Sequence, residues 1–165
     1  AVCAGTAGQR HTLTFYRDCN RERQSGTWTR RSGRITLYNG LFDQTYIDAH
    51  HTWRFQWELD HAAEGPISDQ TFIVAHELGH VVMEGLHQEL AAGGLAPTHL
   101  EDTYAEKLDI SFWPHPFLPL DESLATEVAL WVFGIWRPLP VRDFCETYLA
   151  PMLLGSWGGP LPGEL

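Results

Sequence analysis

The chain has 165 residues, 44% of them hydrophobic, 12% aromatic and 19% charged, about one domain's worth with enough apolar material for a real core. That composition excludes a disordered tail, a fibre and a disulfide mini-protein, and the longest apolar run, Val128–Trp136, stops at nine residues, well short of the ~20 that span a membrane. The net charge of −10 is split: residues 1–34 hold seven of the eleven basic residues against Asp18 and Glu22, and the remainder is strongly acidic, with no nucleic-acid-binding motif, so nucleic acid is not an expected partner.

The chain opens without an initiator Met or a charged-then-apolar signal segment, and so reads as a processed chain or an excised domain. Cys3 and Cys19 are near enough in sequence to close one loop, as an oxidising compartment allows. Cys145 is then left over and reads as a buried, inert thiol. His11–Arg17 alternates as a strand does, with Leu13 and Phe15 on one face, and Asn20–Gly33 reads as a polar, Arg-rich loop. Arg34–Tyr38 is a second strand, stopped by the Asn39-Gly40 turn signal. Trp53, Phe55, Trp57 and Leu59 alternate with Arg54, Gln56 and Glu58, which predicts a half-buried third strand.

Helices follow. Gly65-Pro66 breaks the chain, Ser68 offers an N-cap, and Phe72, Ile73, Val82 and Met83 keep helical spacing from Asp69 to Glu84, with Gly85 as the expected stop. Ala91–Ala96 is a loop, and Thr98 can cap a helix to about Leu108. Three prolines make Phe112–Pro119 extended; Asp121–Trp136 is an apolar helix ended by Pro138 and Pro140, and Arg142–Leu154 is the last helix. The seven tryptophans read as core.

The sharpest feature is His76-Glu77-Leu78-Gly79-His80, an H-E-x-x-H sequence inside a predicted helix. Histidines four apart lie one turn above each other, so both rings can reach one cation, and neutral imidazole suits zinc. Glu77 emerges about 100° around the helix from His76, where it can take the proton of a zinc-activated water. Gly79 costs about 1 kcal/mol relative to Ala in a helix interior, which points to close packing or function.

A catalytic zinc needs a third protein ligand and one open position. The metzincin pattern demands Gly at Met83 and His at Leu86, and both fail; Gly85 and His87 are out of step. In the gluzincin arrangement a later helix supplies a Glu, with a second acid one turn on steadying a ligand histidine. Asp102–Glu106 has that second acid but Asp in the ligand place; Glu122–Thr126 has the ligand Glu but Thr in the supporting place. Glu122, Asp102, His87, Glu101 and Glu127 all stand as candidates, while His11, His50, His51, His61, His99 and His115 read as surface or satisfied histidines.

His76–His80 followed by Glu122-Ser-Leu-Ala-Thr-Glu-Val-Ala129 resembles the catalytic core of anthrax-lethal-factor-like zinc peptidases, whose ligand helix reads E-F-F-A-E-A-F. The resemblance covers roughly residues 34–150 and implies Zn2+ held by His76, His80 and Glu122, with Ala125 as the required small residue. Thr126 departs from the family's acid. The family also places a Tyr before that Glu to stabilise the oxyanion; Tyr104 is the nearest upstream, with Lys107–Leu120 then an insertion. In zincin folds a substrate pairs with an edge strand above the active helix, and Ile35, Thr36, Leu37 and Tyr38 are the candidate strand here, with a plain core strand as the alternative.

The resulting expectation is a single α+β, zincin-like domain over residues 1–165: a basic segment (1–33), a small antiparallel or mixed sheet with the H-E-x-x-H helix (34–85), and a helical part with the third ligand (86–165). Its function is expected to be that of a secreted, monomeric zinc peptidase acting on a peptide or protein, with Glu77 as base. The Cys3–Cys19 loop and a single lysine, Lys107, are the grounds for secretion. The rival is a peptide-binding module with a vestigial or structural metal site, favoured by Thr126.

Overall fold

A three-stranded mixed sheet precedes a set of helices in the computed structural model, which describes residues 14–18, 26–29, 33–50, 56–62, 65–135 and 138–153. The class is α+β. Strand β1 (Thr14–Asp18) overlaps the expected first strand, and β3 (Arg34–Tyr38) is the expected second. Between them in sequence, and against expectation, β2 (Gly26–Thr29) forms inside the Arg-rich stretch. The spatial order is β1-β3-β2, with β1 parallel and β2 antiparallel to β3.

That order corrects the role given to Ile35–Tyr38. Strand β3 is paired along its whole length with β1 and along residues 34–37 with β2, so its backbone groups are already used and no substrate strand can add to it. It is a core strand, with Ile35, Thr36 and Tyr38 buried. The proposed Cys3–Cys19 loop lies outside the described residues.

Helices α1 (Gln44–His50) and α2 (Gln56–Asp60) follow. The latter replaces part of the strand expected over Trp53–Leu59; residues 53–55 lie outside the described set. Leu59 alone is buried in α2, Trp57 is 68% exposed and stacks on His61, and Gln56 Nε2 donates to Asp60 Oδ1 one turn on. One buried residue per turn with i,i+4 pairing is a helix's solution, and the aromatic alternation was coincidental. None of the described tryptophans is fully buried: the indole N–H groups of Trp28 and Trp113 each need an acceptor, and find Glu84 and the Leu108 carbonyl.

Helix α3 (Asp69–Ala92) starts as expected, with the Thr71 N–H donating to the Ser68 hydroxyl. It does not stop at Gly85. Met83, Leu86 and Leu90 continue one buried stripe, so packing carries the helix through the glycine to a Schellman close at Gly94 (φ +84°), where Leu95 N–H donates to Leu90 O and Gly94 N–H to Ala91 O. Helix α4 (His99–Lys107) matches the expected helix. The Pro-rich stretch after it is turn-like, with one 3-10 turn at Ile110–Phe112. Helix α5 (Leu120–Val132) ends sooner than Pro138 requires, because Gly134 (φ +65°) closes it by the same Schellman bonds. A helical end, α6 (Leu139–Phe144), a π turn (Cys145–Leu149) and α7 (Ala150–Leu153), buries the free thiol of Cys145.

The main core joins α3, α4, α5 and α6 through Met83, Leu86, Leu100, Leu124, Val128 and Phe144; a smaller one holds Leu59, Phe72 and Leu130. Helices α3 and α5 are the central pair. Gly79 faces Ala125 across their crossing so closely that a Cβ on Gly79 would stand 2.3 Å from the Ala125 carbonyl oxygen. The glycine foreseen as costly in a helix is therefore required by the approach of two backbones.

Candidate metal centre

The close crossing sets the first turn of α5 against the middle of α3. His76 and His80, one turn apart on α3, both aim Nε2 at Glu122 near the start of α5. His76 Nε2 is 3.1 Å from Glu122 Oε2, His80 Nε2 is 3.4 Å from the same oxygen, and the two nitrogens are 3.2 Å apart. Four ligand atoms around a tetrahedral zinc at ~2.0–2.1 Å stand roughly 3.3–3.4 Å from one another. The three separations here fall at that spacing. The rings meet edge to face, at 87°, so their lone pairs converge instead of stacking away. Among the described residues this is the only group of three such ligands.

Electrostatics agree with the donor set. Burial lowers the pKa of His76, which favours the neutral ring a metal requires, although the hydrogen bond with Glu122 opposes it. Burial also pulls His80 down, but the hydrogen bond and charge of Glu122 outweigh it and the net shift is upward. Hydrogen bonds from His76 and then His80 hold the Glu122 carboxyl well below the usual carboxylate range.

Glu77 is 6% exposed, and burial raises its pKa to about 7 against the pull of His80 and of the Trp28 backbone N–H that donates to it. Its Oε2 is buried with no hydrogen-bond partner. Strand β2 lies directly over it: a Cβ on Gly26 would come within 2.9 Å of Glu77 Cγ and Oε1, and the Trp28 indole N–H reaches Glu84 Oε2 on α3 at 3.3 Å. Among the described residues nothing pairs with the outer side of β2. The edge strand above α3 is thus β2, not the β3 expected from sequence.

His76 is held from behind. Its Nδ1 is 2.9 Å from the Thr126 hydroxyl, which is 3.1 Å from Nε2 of His115. Thr126 therefore occupies the place of the supporting acid whose absence the sequence exposed. His115, read from sequence as a surface or satisfied histidine, is brought there by the turns before α5, its ring 6.0 Å from that of His76. Gly26, Trp28 and His115 were all missed. Only the run of Pro114, Pro116 and Pro119, which stiffens the approach to Glu122, hinted at a held segment.

The remaining candidates sit elsewhere. Asp102 is exposed and accepts from the Thr98 hydroxyl; Glu101 pairs with His87 at 2.5 Å; Glu127 is buried and accepts from Tyr104 Oη at 3.2 Å. Tyr104 is a correction: at 0% exposure it packs between Trp113 and Phe144 in the helical core, with no face to a cleft. Its aromatic bulk between helices α4 and α5, not a place at the metal, accounts for it. No family model, curated protein or solved structure matches the chain.

Proposed function

We propose that the chain is a zinc-dependent peptidase of the gluzincin type, with His76, His80 and Glu122 as the metal ligands and Glu77 as the general base. The single observation that carries this reading is the convergence of three ligand atoms at 3.1, 3.2 and 3.4 Å beside a buried carboxylate with an unpartnered oxygen. When bound, zinc would supply a Lewis acid that acidifies a water and polarises a carbonyl. Three protein ligands leave the fourth position of a tetrahedral ion to solvent or substrate, the pattern of a catalytic site and not of a closed structural one.

Glu77 is suited to the proton work. With its pKa near 7 it can accept a proton from the attacking water and give it up again to the leaving amine nitrogen. The Trp28 N–H holds its carboxylate, and the missing side chain at Gly26 leaves it room, while Oε2 stays without a hydrogen-bond partner. A peptide substrate is favoured because the outer edge of β2 offers backbone groups that an extended chain can pair with irrespective of its sequence. Nucleic acid fits poorly beside so acidic a chain. No helix among the described residues is long and apolar enough to cross a membrane. A secreted monomer is the accompanying proposal, resting on the cysteine pair and the scarcity of lysine.

Glu77→Gln is the deciding variant. It should keep stoichiometric zinc while peptide hydrolysis falls by at least ~10²–10⁴, the range for loss of a positioned acid–base group. Retained hydrolysis in a zinc-loaded Glu77→Gln protein would remove Glu77 as the base. A wild-type chain that binds zinc and peptides but cleaves none would favour the non-catalytic binding module instead.

A further inference from the structure

Thr126 is fully buried on α5, and its hydroxyl lies within hydrogen-bond distance of two imidazoles, His76 Nδ1 and His115 Nε2. A hydroxyl has one hydrogen to donate and two lone pairs with which to accept. If His76 is to present the Nε2 lone pair beside His80 and Glu122, the ring proton must sit on Nδ1, and Thr126 Oγ1 must accept it. The hydroxyl hydrogen is then free to point at His115 Nε2, which accepts it while carrying its own proton on Nδ1.

We propose that Thr126 and His115 form a neutral relay that fixes the tautomer and rotation of His76, performing the task that a carboxylate performs for most metal-ligating histidines. The inference rests on the zinc reading above and adds two positioning residues to it.

The surroundings are built for this. Ser123, fully buried one turn before Thr126, accepts the His115 backbone N–H at 3.3 Å and is placed to donate to the His115 carbonyl at 3.4 Å. The same face of α5 thus grips both the backbone and the ring of His115. Pro114 and Pro116 flank it and restrict the backbone on either side. There is also an electrostatic reason for a hydroxyl at position 126. Glu77 and Glu122 already bring two carboxylates to this pocket, and the charge of Glu122 adds to the cost of ionising Glu77. A third acid behind His76 would add to that cost; Thr126 holds the ring without adding charge.

Zinc affinity, measured by competition with a chromophoric chelator, and 15N shifts of the histidine rings in the zinc-loaded chain test the relay. Thr126→Val, which keeps the shape and removes the hydroxyl, should weaken zinc binding by about 10–100-fold. Thr126→Ser should restore wild-type affinity. His115→Leu should weaken binding less, and the Thr126→Val/His115→Leu double variant should bind no worse than Thr126→Val alone, because the two residues act in one chain. In the zinc-loaded wild type, with Nε2 on the metal, the His76 proton should be found on Nδ1.

Equal affinity in wild type and Thr126→Val, failure of Thr126→Ser to rescue, or additive losses in the double variant would each overturn the relay and leave the zinc site standing. A wild-type chain that takes no zinc overturns the zinc reading instead. The relay then falls with it, whereas in a zinc-loaded chain a His76 that coordinates through Nδ1 overturns the relay alone.

Discussion

At its middle, α3 presents His76 and His80 to Glu122 of α5; two turns later the same helix presents His87 to Glu101 of α4. Both places bury histidine against an acid, yet they differ in arithmetic. At Glu122 two ring nitrogens and one carboxylate oxygen converge within 3.4 Å of one another, a three-way meeting of atoms that can each ligate a metal. At Glu101 one ring nitrogen meets one oxygen at 2.5 Å, and among the described residues no third ligand atom joins them. A little further along the same core, Tyr104 donates its hydroxyl to buried Glu127. Residue type does not separate the two places; the number of convergent ligand atoms does.

The comparison is broken most easily with zinc itself. A ligand that binds only the folded chain stabilises it by about 4 kcal/mol at 1,000 times its Kd, which for a chain of this size raises the melting temperature by roughly 8–16 °C. Thermal unfolding with and without zinc should show that increment in wild type and lose it in Glu122→Ala. In His87→Ala the metal-free protein should be less stable, since Glu101 loses its partner, but the zinc increment should survive in full. If His87→Ala also abolishes the increment, the two regions are one site and the distinction drawn above fails.

Glu77 provides a somewhat smaller effect, with a sign that follows from burial. Its pKa of about 7 in the folded chain exceeds the ordinary 4.5, so the folded state holds a proton that the unfolded chain has released between those values. Stability is therefore lost as pH rises from about 4.5 to 7, to the extent of about 3 kcal/mol at ~1.4 kcal/mol per pH unit. Glutamine carries no such penalty. In chelator-treated protein Glu77→Gln should gain on wild type across that window and hold a constant lead above it. Glu122, whose pKa is depressed, acts oppositely: its contribution is present above 4.5 and disappears as pH falls. A stability difference between Glu77→Gln and wild type that does not change with pH would mean that the carboxylate is solvated.

How much of this was legible follows the range of the interactions. H-E-x-x-H is local: helical spacing alone stacks His76 on His80, and the Ser68 cap and buried stripe secure the helix. Glu122 was legible at one remove, through a resemblance whose required small residue, Ala125, is where α5 approaches Gly79. What could not be read depends on tertiary partners. Four residues, Gly26–Thr29, become a strand because β3 pairs with them and Trp28 docks on α3, not through any propensity of the Arg-rich stretch around them. Gly85 looked like a stop because its sequence neighbours do not reveal that Leu86 and Leu90 have a core to enter. Tyr104 carried the chemistry of an oxyanion group but was claimed by the core, and His115 came to the site through turns whose course only the folded chain defines.

Gly79 belongs to both regions, since the helix crossing it permits positions Glu122 at one level and aligns the α3–α5 core at the next. A methyl group there meets backbone, not a flexible side chain, with the Ala125 carbonyl oxygen 2.3 Å and its carbon 2.9 Å away. Neither atom can swing aside, so Gly79→Ala must separate the helices. The gain in helix propensity, about 1 kcal/mol, is then outweighed by overpacking, which costs about 1–3 kcal/mol in a close-packed interior. Chemical denaturation should register a net loss of up to about 2 kcal/mol. The zinc increment should shrink with it, because moving α5 outward carries Glu122 Oε2 away from His76 and His80 while leaving their one-turn spacing intact. A Gly79→Ala protein that is stabilised, or that is destabilised with an unchanged zinc increment, would show that the crossing can relax without moving Glu122, and that the ligand is positioned by its own first helical turn and not by the approach of the two helices.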